Sequence, residues 1–315
     1  MRLLKPTITV YPQPKSISSV LKQIELAGRT SYKSEYKITK DSYKSFVDKL
    51  TANKHLSPLE FGTIYLKQIR IGNKTHGDDL LNKYANNPYS KCNTRLNEKN
   101  HRVYYITTNY RVLIENGWEQ DLEFLCKPTE SHHIRTCVKF ICDRGVMCEL
   151  TRHRHFSFMV ESSRYCNYTK DRFSNQCSFI IPNWFEPDFP ECENVSIEYS
   201  GNTALLAWEI NDAWDMFPLK DETAKQEIEW ITDLIETENS YNKLIKDGWQ
   251  PQQARSILPN ALKTEVFMCG FNDDWQHFFS LRCAPAAHPQ MRQLAIPLQE
   301  TFNELYNDNN DTIQP

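Results

Sequence analysis

Residues 152–165 read Arg-His-Arg-His-Phe-Ser-Phe-Met-Val-Glu-Ser-Ser-Arg-Tyr, which packs three guanidinium groups, two imidazoles, three hydroxyls and a phenol into fourteen positions. Arginine presents a planar fork of donors that suits phosphate and carboxylate. Arg152, Arg154 and Arg164, with the hydroxyls of Ser162 and Ser163, therefore form a candidate anion cradle, and phosphate fits it best. On an exposed helix face these arginines need acidic partners three or four positions away, and only Glu149 and Glu161 are near. A metal site on His153 and His155 is disfavoured. Their spacing suits a strand, but the flanking arginines repel a cation and no carboxylate or thiolate ligand sits beside them. No metal is expected.

Three further clusters concentrate polar chemistry: Arg29-Thr30-Ser31-Tyr32-Lys33-Ser34, His55-Leu56-Ser57-Pro58-Leu59-Glu60, and a C-terminal set from Arg255 and Pro259 to Asn272, His277, Arg282 and His288. Each alone is a weak signal, because a lone histidine is more often structural and a surface arginine or lysine more often solvated.

Taken in order, the clusters carry a resemblance. Glu149-Leu150-Thr151-Arg152-His153-Arg154, then Ser162, then Arg164-Tyr165, resembles the signature of the flavin-dependent thymidylate synthases, the ThyX family. The Arg29–Ser34 and His55–Glu60 elements, Arg255 with Leu258-Pro259, and Leu281-Arg282 resemble the other elements of that family. The resemblance implies a homotetramer that methylates deoxyuridine monophosphate (dUMP) to thymidine monophosphate (dTMP), with FAD bound between subunits. Methylenetetrahydrofolate supplies the carbon and NADPH the reducing equivalents. By the same carry-over, Arg152, His153 and Arg154 contact FAD, His55 and Ser57 help seat it, and Glu161, Asn272 and His277 lie on the flavin side. Ser162, Ser163 and Arg164 bind the substrate phosphate, while Glu149, Arg152, Arg255 and Arg282 face the nucleotide.

Arg282 is the implied catalytic residue. A guanidinium beside uracil N3 stabilises the charge that develops in the ring, and arginine stays protonated at neutral pH, so it acts as an electrostatic stabiliser. A reduced flavin donates hydride, so no cysteine nucleophile is required. Ser162 reads as a phosphate donor before it reads as a nucleophile. Two positions depart from the pattern. Glu161 stands one place later than the family's glutamate, and Asn272 has an equally good reading as a helix cap; His277 also reads as a helix-surface histidine. Two alternatives stand beside this function: a relative with a changed pyrimidine or transferred group, and a single-stranded nucleic-acid binder built on the arginines with Phe156, Phe158 and Tyr165.

Composition bears on the second alternative. The 40 acidic residues outnumber the 37 basic ones, for a net charge of −3, so any anion site is local and no nucleic-acid partner is expected. No apolar run reaches the roughly 20 residues that span a bilayer, and the first residues lack the apolar core of a signal peptide, which points to a cytoplasmic protein with no membrane partner. The ten cysteines contain no Cys-x-x-Cys pair and read mostly as reduced core residues. None of the nine glycines falls in a dinucleotide fingerprint or P-loop, so a nucleotide must be held by side chains and helix ends.

The elements that must position these residues follow from periodicity. Strands are predicted near Ile8–Tyr11, Thr63–Ile69, Tyr104–Thr107, His133–Cys142, Phe179–Ile181 and Leu262–Met268. Helices are predicted near Ser16–Ala27, Asp41–Ala52, Val112–Ile114 (closed by Gly117), Gly145–Thr151, Asp273–Leu281 and Pro289–Tyr306. The expected class is α+β, with a mixed, largely antiparallel central sheet flanked by helices in one domain over 1–315. Residues 72–100 read as a polar surface insertion and residues near 200–246 as extra amphipathic helices whose Trp208, Trp214 and Trp230 fill core. The polar run at 307–311 reads as a frayed end.

Overall fold

The computed structural model describes residues 1–70, 76–185, 188–200, 203–210, 213–218 and 221–307. At its centre is a four-stranded, fully antiparallel sheet in the order Thr7–Val10, Arg135–Asp143, Lys263–Phe271, Ser157–Val160. Because side chains alternate across a strand, register decides the two faces. Lys263 lies opposite Asp143, Val266 opposite Phe140 and Met268 opposite Val138. One face therefore carries Val138, Phe140, Val266 and Met268 against Trp275, Phe278 and Phe279 of the helix Asn272–Arg282 and Met291, Leu294 and Leu298 of the helix Pro289–Asn307. The other face carries Cys137, Cys269 and Phe267 beneath Ala27 of the helix Ile17–Ser31 and Phe61. Fully burying an aliphatic or aromatic side chain contributes about 1.5–3 kcal/mol, so these two faces supply the main grip on the strands that bear the site.

Three smaller sheets surround this one. Thr63–Ile69, Arg102–Asn109 and Lys91–Leu96 pair antiparallel. Arg2–Leu4 runs parallel to Ser178–Ile180 and antiparallel to Cys192–Glu193. Ser196–Ser200, Thr203–Ile210 and Ala213–Pro218 form an antiparallel meander. The α+β, largely antiparallel class is as read from sequence, with the strands divided among four sheets. Among the described residues no helix is long and apolar enough to cross a membrane.

Two local expectations are corrected, and two others gain detail. The polar stretch near 72–100 holds the helix His76–Ala85 and the strand Lys91–Leu96, anchored by buried Leu80 and Tyr84, whose hydroxyl donates to Asp121 at 3.0 Å. Residues 71–75 lie outside the described residues. The region near 200–246 is helical only over Asp221–Lys246, and Thr203–Ile210 and Ala213–Pro218 are strands. Tertiary pairing there overrides helical periodicity. Trp208 is nonetheless core, packed in one cluster with Ile231, Leu234 and Phe189, and Trp230 packs against that cluster; the Trp214 side chain lies outside the described residues. Asn272 is the first residue of its helix and Phe271 the cap position, so Asn272 is not the N-cap. Cys137 and Cys269, directly opposed on neighbouring strands, are joined by a disulfide, and the other eight cysteines are free, in keeping with a mostly reduced set. The polar run at 307–311 lies outside the described residues except for Asn307.

Gly270 shows how the sheet holds the chemistry. A Cβ placed there would collide with the Phe156 ring, so glycine is what lets that ring pack against the strand. Phe156 lies two residues after the Arg-His-Arg run, with His155 between. Gly270→Ala is expected to destabilise the fold by about 1–3 kcal/mol through overpacking, read as a lower urea midpoint; an unchanged midpoint would overturn this contact as a determinant.

Candidate functional site

The Arg-His-Arg run is placed by the elements on either side of it. Asp143 caps the helix Arg144–Leu150, accepting from the Val146 amide at 2.8 Å, and Leu150 is buried at the helix end. The chain then turns, with the His153 amide donating to the Leu150 carbonyl at 3.1 Å and the Phe156 amide to the His153 carbonyl at 3.3 Å. Phe156 is buried edge-on against Trp275 at 4.7 Å. Arg152, Arg154 and His155 are left exposed between these two apolar anchors.

Arg282 ends the helix Asn272–Arg282, where a cation complements the helix dipole. Its Nε donates to His153 Nε2 at 2.9 Å, Nη1 to Glu149 Oε2 at 2.7 Å and Nη2 to the Glu149 carbonyl at 3.1 Å. His153 therefore accepts through Nε2 and carries its proton on Nδ1. Burial, reinforced by the nearby charges of Arg282, His277 and Arg152, pushes His153 down to about 4, so the imidazole is neutral at physiological pH.

Arg152, His153, Arg154, His277 and Arg282 line one cleft of about 720 Å³, with Phe156, Leu281 and Ala287 supplying apolar wall. Neither Arg152 nor Arg154 makes an ion pair with a described residue. The two acids nearest in sequence are committed elsewhere: Glu149 pairs with Arg282, and Glu161 with Lys263 at 2.8 Å. The cleft is thus cationic beside an apolar wall, an arrangement that fits a large anionic ligand bearing a flat ring. No group of three or more His, Cys, Asp and Glu side chains suited to a metal ion occurs among the described residues.

A second cluster gathers residues from three segments. Arg144 Nη1 and Arg255 Nη1 donate to the same Ser163 Oγ, at 3.2 and 3.1 Å. Ser163 is buried and both arginines are half-buried, so two guanidiniums converge at one hydroxyl with donors to spare for an anion. Arg144 belongs to this cluster although the motif reading did not name it. The available signal was an unpaired arginine directly after a capping aspartate, and sequence spacing does not link it to Ser163.

The other sequence candidates separate. Ser162 is held by its backbone, its amide donating to the Ser31 carbonyl at 2.9 Å, which joins the Arg152–Tyr165 run to the Arg29–Ser34 segment. Arg164 is exposed and lies over the Tyr165 ring. Arg29 pairs with buried Glu25 and covers Phe46. His55 and Ser57 are exposed and do not line the cleft. Their segment is tied to the sheet by Arg135, whose guanidinium donates to the Glu60 carbonyl at 2.6 Å and to Ser157 Oγ at 2.9 Å. Burial pushes Arg135 down to about 10. Asn272 accepts through Oδ1 from the Thr136 hydroxyl at 2.7 Å. Burial raises the Cys92 thiol to about 11 and those of Cys166 and Cys192 to about 12, which removes them as thiolate nucleophiles at neutral pH.

The His153 reading gives a direct check by NMR titration. The His153 ring resonances are expected to move with a midpoint near 4, and Arg282→Met should raise that midpoint by removing a neighbouring positive charge. A His153 midpoint at the ordinary histidine value in the unmodified protein would overturn the buried, Arg282-paired geometry.

Comparison with known proteins adds an independent line. The family model of the thymidylate synthase complementing proteins (Thy1) matches residues 83–306. A flavin-dependent thymidylate synthase of Corynebacterium aurimucosum is 24% identical over 161 residues, covering 51% of this chain and 54% of that relative. The chain thus spans about half the length of that relative. The Corynebacterium diphtheriae protein of the same name is 26% identical over 213 residues, covering 68% and 71%. Among solved structures, the UMP/dUMP methylase PolB from Streptomyces cacaoi, bound with 5-Br dUMP, superposes with a TM-score of 0.42 at 14% identity, covering 97% of this chain and 93% of that one. The matched region spans more than half of the sequence and contains the Arg152–Tyr165 run, Arg255 and Arg282, so the chain belongs to the thymidylate synthase complementing protein family.

Proposed function

We propose that the protein reductively methylates dUMP to dTMP, with FAD in the cationic cleft, methylenetetrahydrofolate as carbon donor and NADPH as reductant. The observation that carries this reading is that Arg152, Arg154 and Arg164 stand without carboxylate partners among the described residues, while the nearby Glu149 and Glu161 serve other cations. The names of the relatives support it. The cleft fits a flavin in kind: Phe156, Leu281 and Ala287 offer surface to a flat ring, and Arg152 and Arg154 offer charge to a diphosphate. When bound, the flavin supplies hydride.

The chain's own residues do the rest. Arg282 has five N–H donors, of which three are engaged by His153 and Glu149, leaving one on each terminal nitrogen for a uracil carbonyl and for N3 once its proton is lost. Charge that develops on the pyrimidine as C5 becomes nucleophilic is stabilised there by a guanidinium that is already oriented. Neutral His153 orients Arg282 as an acceptor without adding a repelling charge. Arg144, Ser163 and Arg255 hold the nucleotide phosphate, and Ser162 serves binding. His55 and Ser57, exposed and outside the cleft, reach a flavin if active sites form between subunits of a homotetramer, where Arg164 also finds its anion. The same reading places the enzyme in the cytoplasm.

The purified protein is expected to be yellow, its flavin spectrum shifting on addition of dUMP and its product with methylenetetrahydrofolate and NADPH being dTMP. A protein that cannot take up FAD overturns the proposal, and a different methylated pyrimidine overturns the substrate. Arg282→Lys should retain flavin and slow methylation on the order of 10²-fold, as for loss of one preorganised donor. Arg255→Ala should weaken dUMP binding by about 2–4 kcal/mol, measured by titration of the holoenzyme.

A further inference from the structure

A second concentration of charge lies on the other face of the central sheet and takes no part in the chemistry above. Lys263 Nζ is 2.8 Å from Glu161 Oε2 and 2.5 Å from Glu265 Oε1. Lys33 Nζ is 2.6 Å from Glu265 Oε1, and Lys139 Nζ is 3.3 Å from Glu265 Oε2. The carboxylates are deep, with the Glu161 side chain 2% exposed and that of Glu265 6%. Burial opposes ionisation of Glu265, but Lys263, Lys33 and Lys139 outweigh it and hold the carboxyl at about 2. Such buried ions seldom add stability over an apolar replacement, so their placement calls for another account.

That account is local. Glu161 opens the segment that carries Ser162 and Ser163. Its amide donates to the Glu265 carbonyl at 2.8 Å, and the next amide donates to the Ser31 carbonyl at 2.9 Å. Lys263 itself stands in register opposite Asp143, the residue that caps the helix beginning with Arg144. Lys263 thus spans the two sides of the anion cluster: Glu161, two residues before Ser163, and the strand end next to Arg144. Among the described residues Glu161 has a single ion-pair partner, and its Oε1 is buried without a hydrogen bond. Burial already pushes the Glu161 carboxyl up, so without Lys263 it either takes up a proton or leaves the interior, and either change removes the ion pair that holds the segment just before Ser163.

We propose that Lys263 is a positioning residue for the phosphate site, holding Glu161 so that Ser163 Oγ stays where Arg144 and Arg255 meet. Lys263 does not touch the phosphate in this role, since its ammonium is spent on Glu161 and Glu265. The proposal rests on the phosphate reading of the Arg144–Ser163–Arg255 cluster.

The test titrates the flavin-loaded protein with dUMP and with deoxyuridine, which lacks the phosphate, and takes the ratio of the two dissociation constants. Lys263→Met is expected to lower that preference for the monophosphate about tenfold or more, equivalent to about 1.4 kcal/mol per tenfold, with flavin content retained. Lys263→Arg, which keeps the charge, should preserve the preference. Glu161→Gln, which removes the charge at nearly constant volume, should lower it and provides the reading if Lys263→Met fails to fold. A folded Lys263→Met or Glu161→Gln protein with an unchanged ratio overturns the proposal, as does equal loss in Lys263→Arg. If the unmodified protein shows no preference for the monophosphate, the phosphate reading itself falls, and the positioning role falls with it. If Arg255→Ala loses the preference and Lys263→Met keeps it, only the positioning role falls.

Discussion

The strand Lys263–Phe271 is paired along both edges, with Arg135–Asp143 on one side and Ser157–Val160 on the other, and nearly everything at the site depends on that double pairing. A slip of one residue would exchange the two faces of the strand. Val266 and Met268 would leave the helices Asn272–Arg282 and Pro289–Asn307, and Lys263 and Glu265 would enter an apolar core. Gly270 would no longer lie under Phe156. The apolar face resists the slip strongly, since Lys263 and Glu265 would lose their ion partners and be set against the rings of Trp275 and Phe278. The energy that sets the register therefore comes mostly from residues remote from the chemistry.

Electrostatics then distributes what the register has placed. The region holds more cations than nearby acids, and the acids present are paired selectively. Glu149 takes Arg282 with its side chain and its carbonyl, which orients a guanidinium while leaving two donors unused. Glu161 takes Lys263 on the opposite face. Sequence spacing alone would allow both glutamates to neutralise Arg152, Arg154 or Arg164. The fold prevents it, since Glu161 points into the sheet's interior and Glu149 is held by the end of another helix. The unpaired arginines are a consequence of where the acids went.

This division explains what could be read from the sequence. The strands and helices around the site were legible because their apolar residues repeat with the period of the element that buries them, as in Arg135–Asp143 and Pro289–Asn307. The Arg152–Tyr165 run was legible because its residue types have few other uses at that density. Residues 203–218 were misread as helix because their apolar residues also admit a helical period, and the choice is made by the antiparallel pairing of Ser196–Ser200, Thr203–Ile210 and Ala213–Pro218, which periodicity alone does not show. Glu161 and Arg144 show the same limit at single-residue scale. The destination of Glu161 is set by Lys263, a hundred positions away, and the convergence of Arg144 on Ser163 by a shared contact with Arg255. Asn272 likewise turns its amide oxygen to Thr136 because the sheet brings that hydroxyl beneath the helix start.

The loop that carries Arg152 and Arg154 poses the remaining physical question, which is how two arginines without partners come to occupy a defined place. Ordering a backbone costs roughly 1–2 kcal/mol per residue, and mutual repulsion adds to that. The answer lies in length. Leu150 and Phe156 are both buried, so only five residues lie free between two anchors in the same apolar cluster, and two backbone hydrogen bonds close the turn within them. Burial of the anchors offsets the ordering cost without using the arginines, whose charge is then left available. His153 completes the arrangement, because its ring faces inward against Phe278 and accepts from Arg282 while its neighbours face out. An inward residue flanked by two outward ones places one neutral acceptor under the cleft floor and two cations on its rim, the alternation that a loop held at both ends can maintain and a longer one could not.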